Sequence, residues 1–309
     1  MVVPVAESRN SNHAKWGRRR GGDVEENALM PGVHIVSDSS SDLTQDEIGM
    51  LNVEIVPLSI RFGSQEFTDR RDLSVEDFYD RMASSDALPQ TACPSPGAFE
   101  QAFRNADDAG AEAVVCLNIS SALSNTLQSA QAAAAACEGR LPVHVIDSRS
   151  VSSGLGTLVL EAAKAAGTGP GVDSVLRRVA DLIPRTRVFA ALNTLENLRK
   201  GGRIGGAKAM VGSMLSIRPV IDISGGVVQE AGKARTRKRA MQMLYERMIG
   251  AGAIEHVAVM HGGAPDLDEF LDLIAPHFAR KSLRIGKLGA VIGAHGGAEI
   301  IGVSWIDGM

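Results

Sequence analysis

Residues 33–42 read VHIVSDSSSD, an apolar run followed at once by acidic and hydroxyl side chains. The same order recurs at 113–121 (AVVCLNISS) and at 143–148 (VHVIDS), and a helical pattern follows each polar turn. Strands that alternate with helices in this way form a parallel sheet with helices on its faces. The sequence therefore predicts an α/β fold whose first domain is built on a parallel sheet.

The first half of the chain supplies the elements of this sheet. Its predicted strands are Val33–Ser37, Val53–Ile60, Ala113–Ile119 and Val143–Ile146. Pro57 inside the second of them indicates an edge position or a bulge, because proline has no N–H to donate to a neighbouring strand. The predicted helices are Gln45–Leu51, Asp72–Ser84, Gly97–Ala109, an alanine-rich segment ending near Cys137, Ser153–Ala166 and Val172–Leu182.

A glycine-containing turn at 167–171 and Pro184 mark a change of pattern. We therefore divide the chain into an N-terminal extension (1–31), an α/β domain (32–185) and a smaller α/β domain (186–309). Ser224-Gly225-Gly226 predicts a hairpin, so the second sheet is mixed or antiparallel. Its predicted strands are Arg187–Leu192, Ile217–Ile223, Gly226–Glu230, His256–His261, Ser282–Lys287 and Ile300–Trp305, and its predicted helices are Ala207–Leu215, Lys238–Ala251 and Leu267–Ala279.

Residues 1–31 are polar and carry three consecutive arginines at 18–20. This composition predicts a disordered extension, and it contains no apolar core of a secretory signal. Met30 closely precedes the first predicted strand and is an alternative start of the protein.

Composition narrows the function classes. A net charge of −4 disfavours bulk binding to nucleic acid, and an aromatic content of 4% disfavours base stacking. No apolar run reaches the roughly 18 residues of a membrane span, so we expect no stable membrane insertion. The three cysteines fit neither a zinc cluster nor a disulfide framework, which favours a reducing, cytoplasmic setting.

The segment 198–206 reads LRKGGRIGG, with four glycines and three cations in nine residues. Such a segment can turn sharply and hold a guanidinium at the turn. Arg203 offers a planar fork that matches a carboxylate bidentately. We expect it to hold one carboxylate or phosphate; the alternative is a surface arginine in a loop.

Hydroxyl side chains follow the predicted parallel strands at the sheet edge where ligands bind in open α/β folds. An oxyanion site there would draw on Asp38, Ser39, Ser120, Ser121 and Ser124. The alternative is that these residues are N-caps and turn formers. Thr91, before a proline-rich turn, is a further hydroxyl candidate.

His295, in the glycine-rich stretch 292–297, is the best placed of the seven histidines to donate to an anion. A hydrolase triad of Ser121, His295 and Asp38 stays open at this point, although no spacing supports it. The basic run 233–239 is either a solvated helix start or a docking patch for an acidic partner.

The chain resembles the DegV family over residues 33–305. The resemblance rests on the motif at 36–43, on Thr91 with the Pro94-Ser95-Pro96 turn, on 120–130, on Asp147-Ser148, on 195–204, on 235–240 and on His295. It implies a Rossmann-like first domain, a smaller second α/β domain and a fatty acid between them. The carboxylate would be held by Thr91, Ser121, Arg203 and His295.

The resemblance also implies a biological setting. The protein would be the non-catalytic, lipid-binding subunit of bacterial fatty acid kinase, acting without a cofactor of its own. A separate subunit, related to dihydroxyacetone kinases, would phosphorylate the bound long-chain fatty acid with ATP and so feed phospholipid synthesis. A stand-alone hydrolase or small-molecule kinase that uses the same anion site is the alternative.

Overall fold

The computed structural model describes residues 32–85 and 87–309. The extension that we predict to be disordered, 1–31, lies outside these residues. No helix within the described ranges is both long and apolar enough to cross a bilayer.

The strands and helices alternate as the sequence pattern predicts. The strands are β1 (Val33–Asp38), β2 (Val53–Val56), β3 (Ser59–Phe62), β4 (Gln65–Thr68), β5 (Gln90–Ala92), β6 (Ala113–Asn118), β7 (Val143–Asp147), β8 (Thr186–Ala191), β9 (Arg218–Asp222), β10 (Gln229–Ala234), β11 (Ile254–His261), β12 (Arg284–Lys287) and β13 (Ile301–Asp307). The α-helices are α1 (Gln45–Leu51), α2 (Val75–Ser84), α3 (Pro96–Asp108), α4 (Thr126–Ala136), α5 (Ser153–Thr168), α6 (Val172–Leu182), α7 (Glu196–Lys200), α8 (Arg237–Gly250), α9 (Leu267–Ile274) and α10 (Ala290–Gly296).

Two sheets carry the fold. The first is fully parallel in the order β2-β1-β6-β7, and the second is mixed in the order β10-β9-β8-β13-β11-β12. Strands β9 and β10 form the predicted antiparallel hairpin. The prediction of an α/β fold with a parallel sheet and a mixed sheet is confirmed.

Pro57 lies at a break between two strands. The single strand predicted over Val53–Ile60 is wrong, because the chain breaks at Pro57-Leu58 into β2 and β3, which belong to different sheets. Strand β3 joins β4 and β5 in a small antiparallel sheet that the sequence pattern did not reveal. The predicted helix at Ala207–Leu215 is instead a 3-10 helix over Gly205–Ser216.

Helix α5 lies between the two large sheets. Leu155 and Leu158 share a buried core with Val115 of the parallel sheet and with Val188 of the mixed sheet. Gly154 and Gly156 allow this close approach, because a side chain at either position would collide with neighbours. The two sheets therefore meet through α5, and the predicted division at residue 185 stays a prediction.

Two glycines of α5 provide a matched test of this packing. A Cβ at Gly154 would come within 2.6 Å of Val188 Cγ2, whereas a Cβ at Gly167 meets nothing within 4 Å. We expect Gly154→Ala to lower the free energy of unfolding by about 1–3 kcal/mol through overpacking. Gly167→Ala should raise it by up to about 1 kcal/mol through helix propensity. Urea denaturation measures both, and equal effects of the two variants would contradict the packing described.

Candidate functional site

A cavity with an empty volume of about 630 Å³, part of it open to solvent, lies between the edge of the parallel sheet and the mixed sheet. Its wall is mostly apolar: the lining includes Leu58, Ile119, Leu123, Val151, Leu192, Leu198, Ile221, Ile223, Val228, Val291, Ile292 and Ile300. Four polar side chains also line it, those of Thr91, Ser124, Arg203 and His295. An apolar chamber with a few polar groups is typical of a small-molecule site.

Thr91 and His295 meet although 204 residues separate them. Thr91 lies in β5 opposite Ile60 of β3, and His295 lies in the last turn of α10. The Thr91 hydroxyl and His295 Nε2 form a hydrogen bond of 2.9 Å. Residues of β3 and α10 share a buried core, which fixes the distance between the two elements.

The imidazole of His295 is held as a neutral group. Burial, together with the nearby Arg203 guanidinium, lowers the pKa of His295 to about 4. Its Nδ1 atom is buried and bonds to no described residue. Gly201 lies directly against this atom, since a Cβ on Gly201 would sit 2.5 Å from it. At neutral pH the ring therefore offers one N–H donor and one acceptor rather than a charge.

Arg203 is anchored by backbone carbonyls. Its Nε donates to Leu123 O at 3.0 Å and its Nη1 to Gly201 O at 2.6 Å. The chain reaches this position through Gly202 at φ +74°, a conformation that favours glycine. Within residues 32–85, 87–210 and 217–309, Nη2 has no hydrogen-bond partner, so one donor edge of the half-buried guanidinium faces none of these residues.

The structure brings together half of the predicted site residues. Thr91, Ser124, Arg203 and His295 surround one cavity, and the Ser124 hydroxyl bonds the Thr126 hydroxyl at 2.8 Å. That these four residues bind a ligand stays a prediction.

The other predicted site residues do not line this cavity. Ser121 is exposed and donates to Asp147 Oδ2 at 2.5 Å, and Ser120 is buried and donates to Gly226 O at 2.7 Å. Ser39 accepts from Leu58 N at 3.1 Å. Asp38 accepts from Ser40 and, at 2.9 Å, from Ile119 N. In this structure Asp38, Ser39 and Ser121 bond within turns at the edge of the parallel sheet, and Ser120 bonds the turn before β10. A role of these four residues in ligand binding stays a prediction.

The structure does not form the hydrolase triad, and it shows the local contacts of the basic run, whose docking role stays a prediction. Ser121, His295 and Asp38 form no triad, because each bonds a different partner. In the basic run, Arg237 is clamped on Asp266 at 2.8 and 2.9 Å, and Arg239 pairs with Glu246. Thr236 caps α8, so the run is a helix start with local ion pairs.

The position of α10 depends on a buried carboxylate. The Gly289 N–H, just before α10, donates to Asp42 Oδ1 at 2.9 Å. Sequence reasoning missed both this contact and the close approach of Gly201 to the imidazole. The glycine-rich stretch did point to a close backbone approach, but not to its partner. Within the described ranges no cluster of His, Cys, Asp or Glu could hold a metal ion.

The fold and this cavity define a class: a two-sheet α/β protein with an apolar chamber that carries hydroxyl, imidazole and guanidinium groups. The chain belongs to the DegV family, since the family model described as "Uncharacterised protein, DegV family" matches residues 32–308. The family prediction is thereby confirmed.

Relatives support this membership along nearly the whole chain. A DegV domain-containing protein of Deinococcus radiodurans is 34% identical over 278 residues, covering 88% of this chain and 97% of the relative. A fatty-acid-binding DegV family protein from Thermus thermophilus has a TM-score of 0.82 and 31% identity, covering 89% of this chain and 99% of its own. A stearic-acid-binding protein from Eubacterium ventriosum has a TM-score of 0.80 and 25% identity, with 89% and 98% covered.

The depressed pKa of His295 leads to a pH-dependent outcome. The folded chain takes up this proton near pH 4 and an unfolded chain near 6.5, so falling pH favours the unfolded state in that window. In ligand-free protein, NMR should show the His295 ring titrating near pH 4, with His295→Asn assigning its signal. A midpoint near 6.5 would contradict the neutral, buried imidazole.

Proposed function

We propose that this protein binds a long-chain fatty acid and presents it to a separate kinase subunit, which phosphorylates the carboxylate with ATP. One observation carries the proposal: four polar side chains, those of Thr91, Ser124, Arg203 and His295, line an otherwise apolar cavity. An amphiphile with one anionic end and a long apolar tail matches both parts. Nucleotides and sugars would leave most of the apolar wall without a partner.

The energetics favour such a ligand. Each buried methylene contributes about 0.8 kcal/mol, so a tail of about fourteen methylenes offers roughly 11 kcal/mol before the costs of association. A carboxylate removed from water costs several kcal/mol unless it is paired and hydrogen-bonded. The Nη2 edge of Arg203, with the Thr91 hydroxyl and neutral imidazole beside it, offsets this cost.

Relatives support the same ligand class. The Thermus thermophilus protein binds a fatty acid, and the Eubacterium ventriosum protein binds stearic acid. Both align with nearly the whole of this chain. We carry the ligand class over on this basis, together with the lining of the cavity.

The accessibility of the polar side chains supports the role of a carrier. Among the described residues that line the cavity, no nucleophile and base belong to a hydrogen-bonded triad. Thr91 and Arg203, two of the four polar side chains, are only half-buried. A bound carboxylate would keep an oxygen accessible to a second protein. Incubation of the loaded protein with ATP and a dihydroxyacetone-kinase-like subunit should yield an acyl phosphate, which hydroxylamine traps; a free alcohol or acid released without the kinase would favour a hydrolase instead.

Arg203 provides the direct test of ligand binding. Hydrogen bonds to charged groups contribute about 1.5–3 kcal/mol, so Arg203→Ala should weaken fatty acid binding roughly 10- to 150-fold. Arg203→Lys keeps the positive charge but loses the planar guanidinium. Its affinity for the fatty acid should lie between those of the wild type and Arg203→Ala. Isothermal titration calorimetry measures the affinities, and urea denaturation establishes that the variants fold.

Arg199→Ala is the matched control, because Arg199 is exposed on α7 and does not line the cavity. It should bind as the wild type does. An affinity of Arg203→Ala equal to that of Arg199→Ala would remove the proposed role of Arg203.

A further inference from the structure

A second cavity, with an empty volume of about 320 Å³, adjoins the first. Four residues line both cavities: Val151, Ile223, Ile292 and Ile300. Thr91, Arg203 and His295 line only the first cavity. The second cavity therefore lies next to the first, on a side that Thr91, Arg203 and His295 do not line.

One wall of the second cavity is formed by a row of three residues on neighbouring strands. Gly302 of β13 pairs with Ala190 of β8 on one side and with Met260 of β11 on the other. Directly opposed residues in antiparallel strands point to the same face of the sheet. All three residues line the cavity. Ala190 contributes only a methyl group, Gly302 has no side chain and Met260 has a flexible thioether, so the row leaves space that larger side chains would fill.

The serine hydroxyl groups that line the second cavity already have hydrogen-bond partners. The hydroxyls of Ser153 and Ser304 bond each other at 2.7 Å, and Ser152 donates to Asp42 Oδ2 at 2.6 Å. A water molecule needs about two to four polar partners, and an apolar cavity without them stays empty or takes an apolar ligand. An alkyl group is the ligand that this wall accommodates.

We propose that the methyl end of a long acyl chain occupies this second cavity, and that Gly302 with Ala190 sets the longest chain the protein binds. This inference rests on the proposed function, because it requires the carboxylate to lie at Arg203 and His295. It adds to that function a limit on the length of the bound acyl chain, set at one position of β13. Shorter chains end in the first cavity and do not reach the row.

Gly302 permits a direct test. A Cβ at Gly302 would meet Phe189 O at 3.6 Å, Met260 O at 3.8 Å and Ala190 Cβ at 4.0 Å, all ordinary contacts. Valine suits a strand and adds three carbons to this wall of the cavity. Calorimetry with saturated acids from lauric to stearic acid should show Gly302→Val binding lauric acid as the wild type does. Stearic acid should bind roughly 60-fold more weakly, about fourfold for each of three displaced methylenes.

Controls separate the possible failures. Gly225→Val adds the same group where a Cβ meets nothing within 4 Å and should change neither affinity. If Gly302→Val does not fold, Gly302→Ala should weaken stearic acid about fourfold and leave lauric acid unchanged. Unchanged stearic acid binding, or equal loss for both acids, overturns the length limit alone. A wild-type protein that binds no acid of any length overturns the proposed function, and this inference with it.

Discussion

The buried carboxylate of Asp42 joins three distant segments of the chain. It accepts hydrogen bonds from Arg70 Nη2 at 3.0 Å, from Ser152 Oγ at 2.6 Å and from Gly289 N at 2.9 Å. Burial raises the pKa of Asp42, and the charge of Arg70 opposes that shift. A fully buried carboxylate is tolerated only where such partners surround it. Asp42 therefore holds the turn after β1 against the loop after β4, the start of α5 and the start of α10.

The cavity inherits its geometry from this arrangement. Helix α10 begins beside Asp42 and ends at His295, so one short helix links the buried carboxylate to the polar cluster of the site. Helix α5 begins beside Asp42 and separates the two sheets. Ser152 adopts φ +54°, an unusual conformation for a non-glycine residue. Its bond to Asp42 and its N–H bond to Ser40 O hold it there.

Much of the fold was predictable because it follows from short-range patterns. The parallel sheet came from apolar runs that end in polar turns, and the β9–β10 hairpin came from paired glycines. The small sheet of β3, β4 and β5 was not predictable in this way. Its strands are only three or four residues long. The sequence around Pro57 reads as one continuous strand, although the chain passes there from one sheet to another.

The candidate site was predictable only in part, for a physical reason. Arg203 and His295 stood out because glycines surround them, and glycines mark places where backbones approach closely. Ser121 and Asp38 were equally plausible from the sequence, since a hydroxyl or carboxylate in a turn serves either a ligand or the turn itself. In the structure their polar atoms bond neighbouring turns, and their role toward a ligand stays a prediction. The apolar wall draws on segments from Leu58 to Ile300, and no local pattern could have grouped them.

The central claim is that a long-chain fatty acid occupies the cavity between the two sheets. Organic extraction of the purified protein, followed by mass spectrometry of the extract, tests it most directly. We expect close to one long-chain fatty acid per protein chain, released only on denaturation or extraction. A chain that carries no fatty acid as purified, and takes up none when it is offered, would contradict the account.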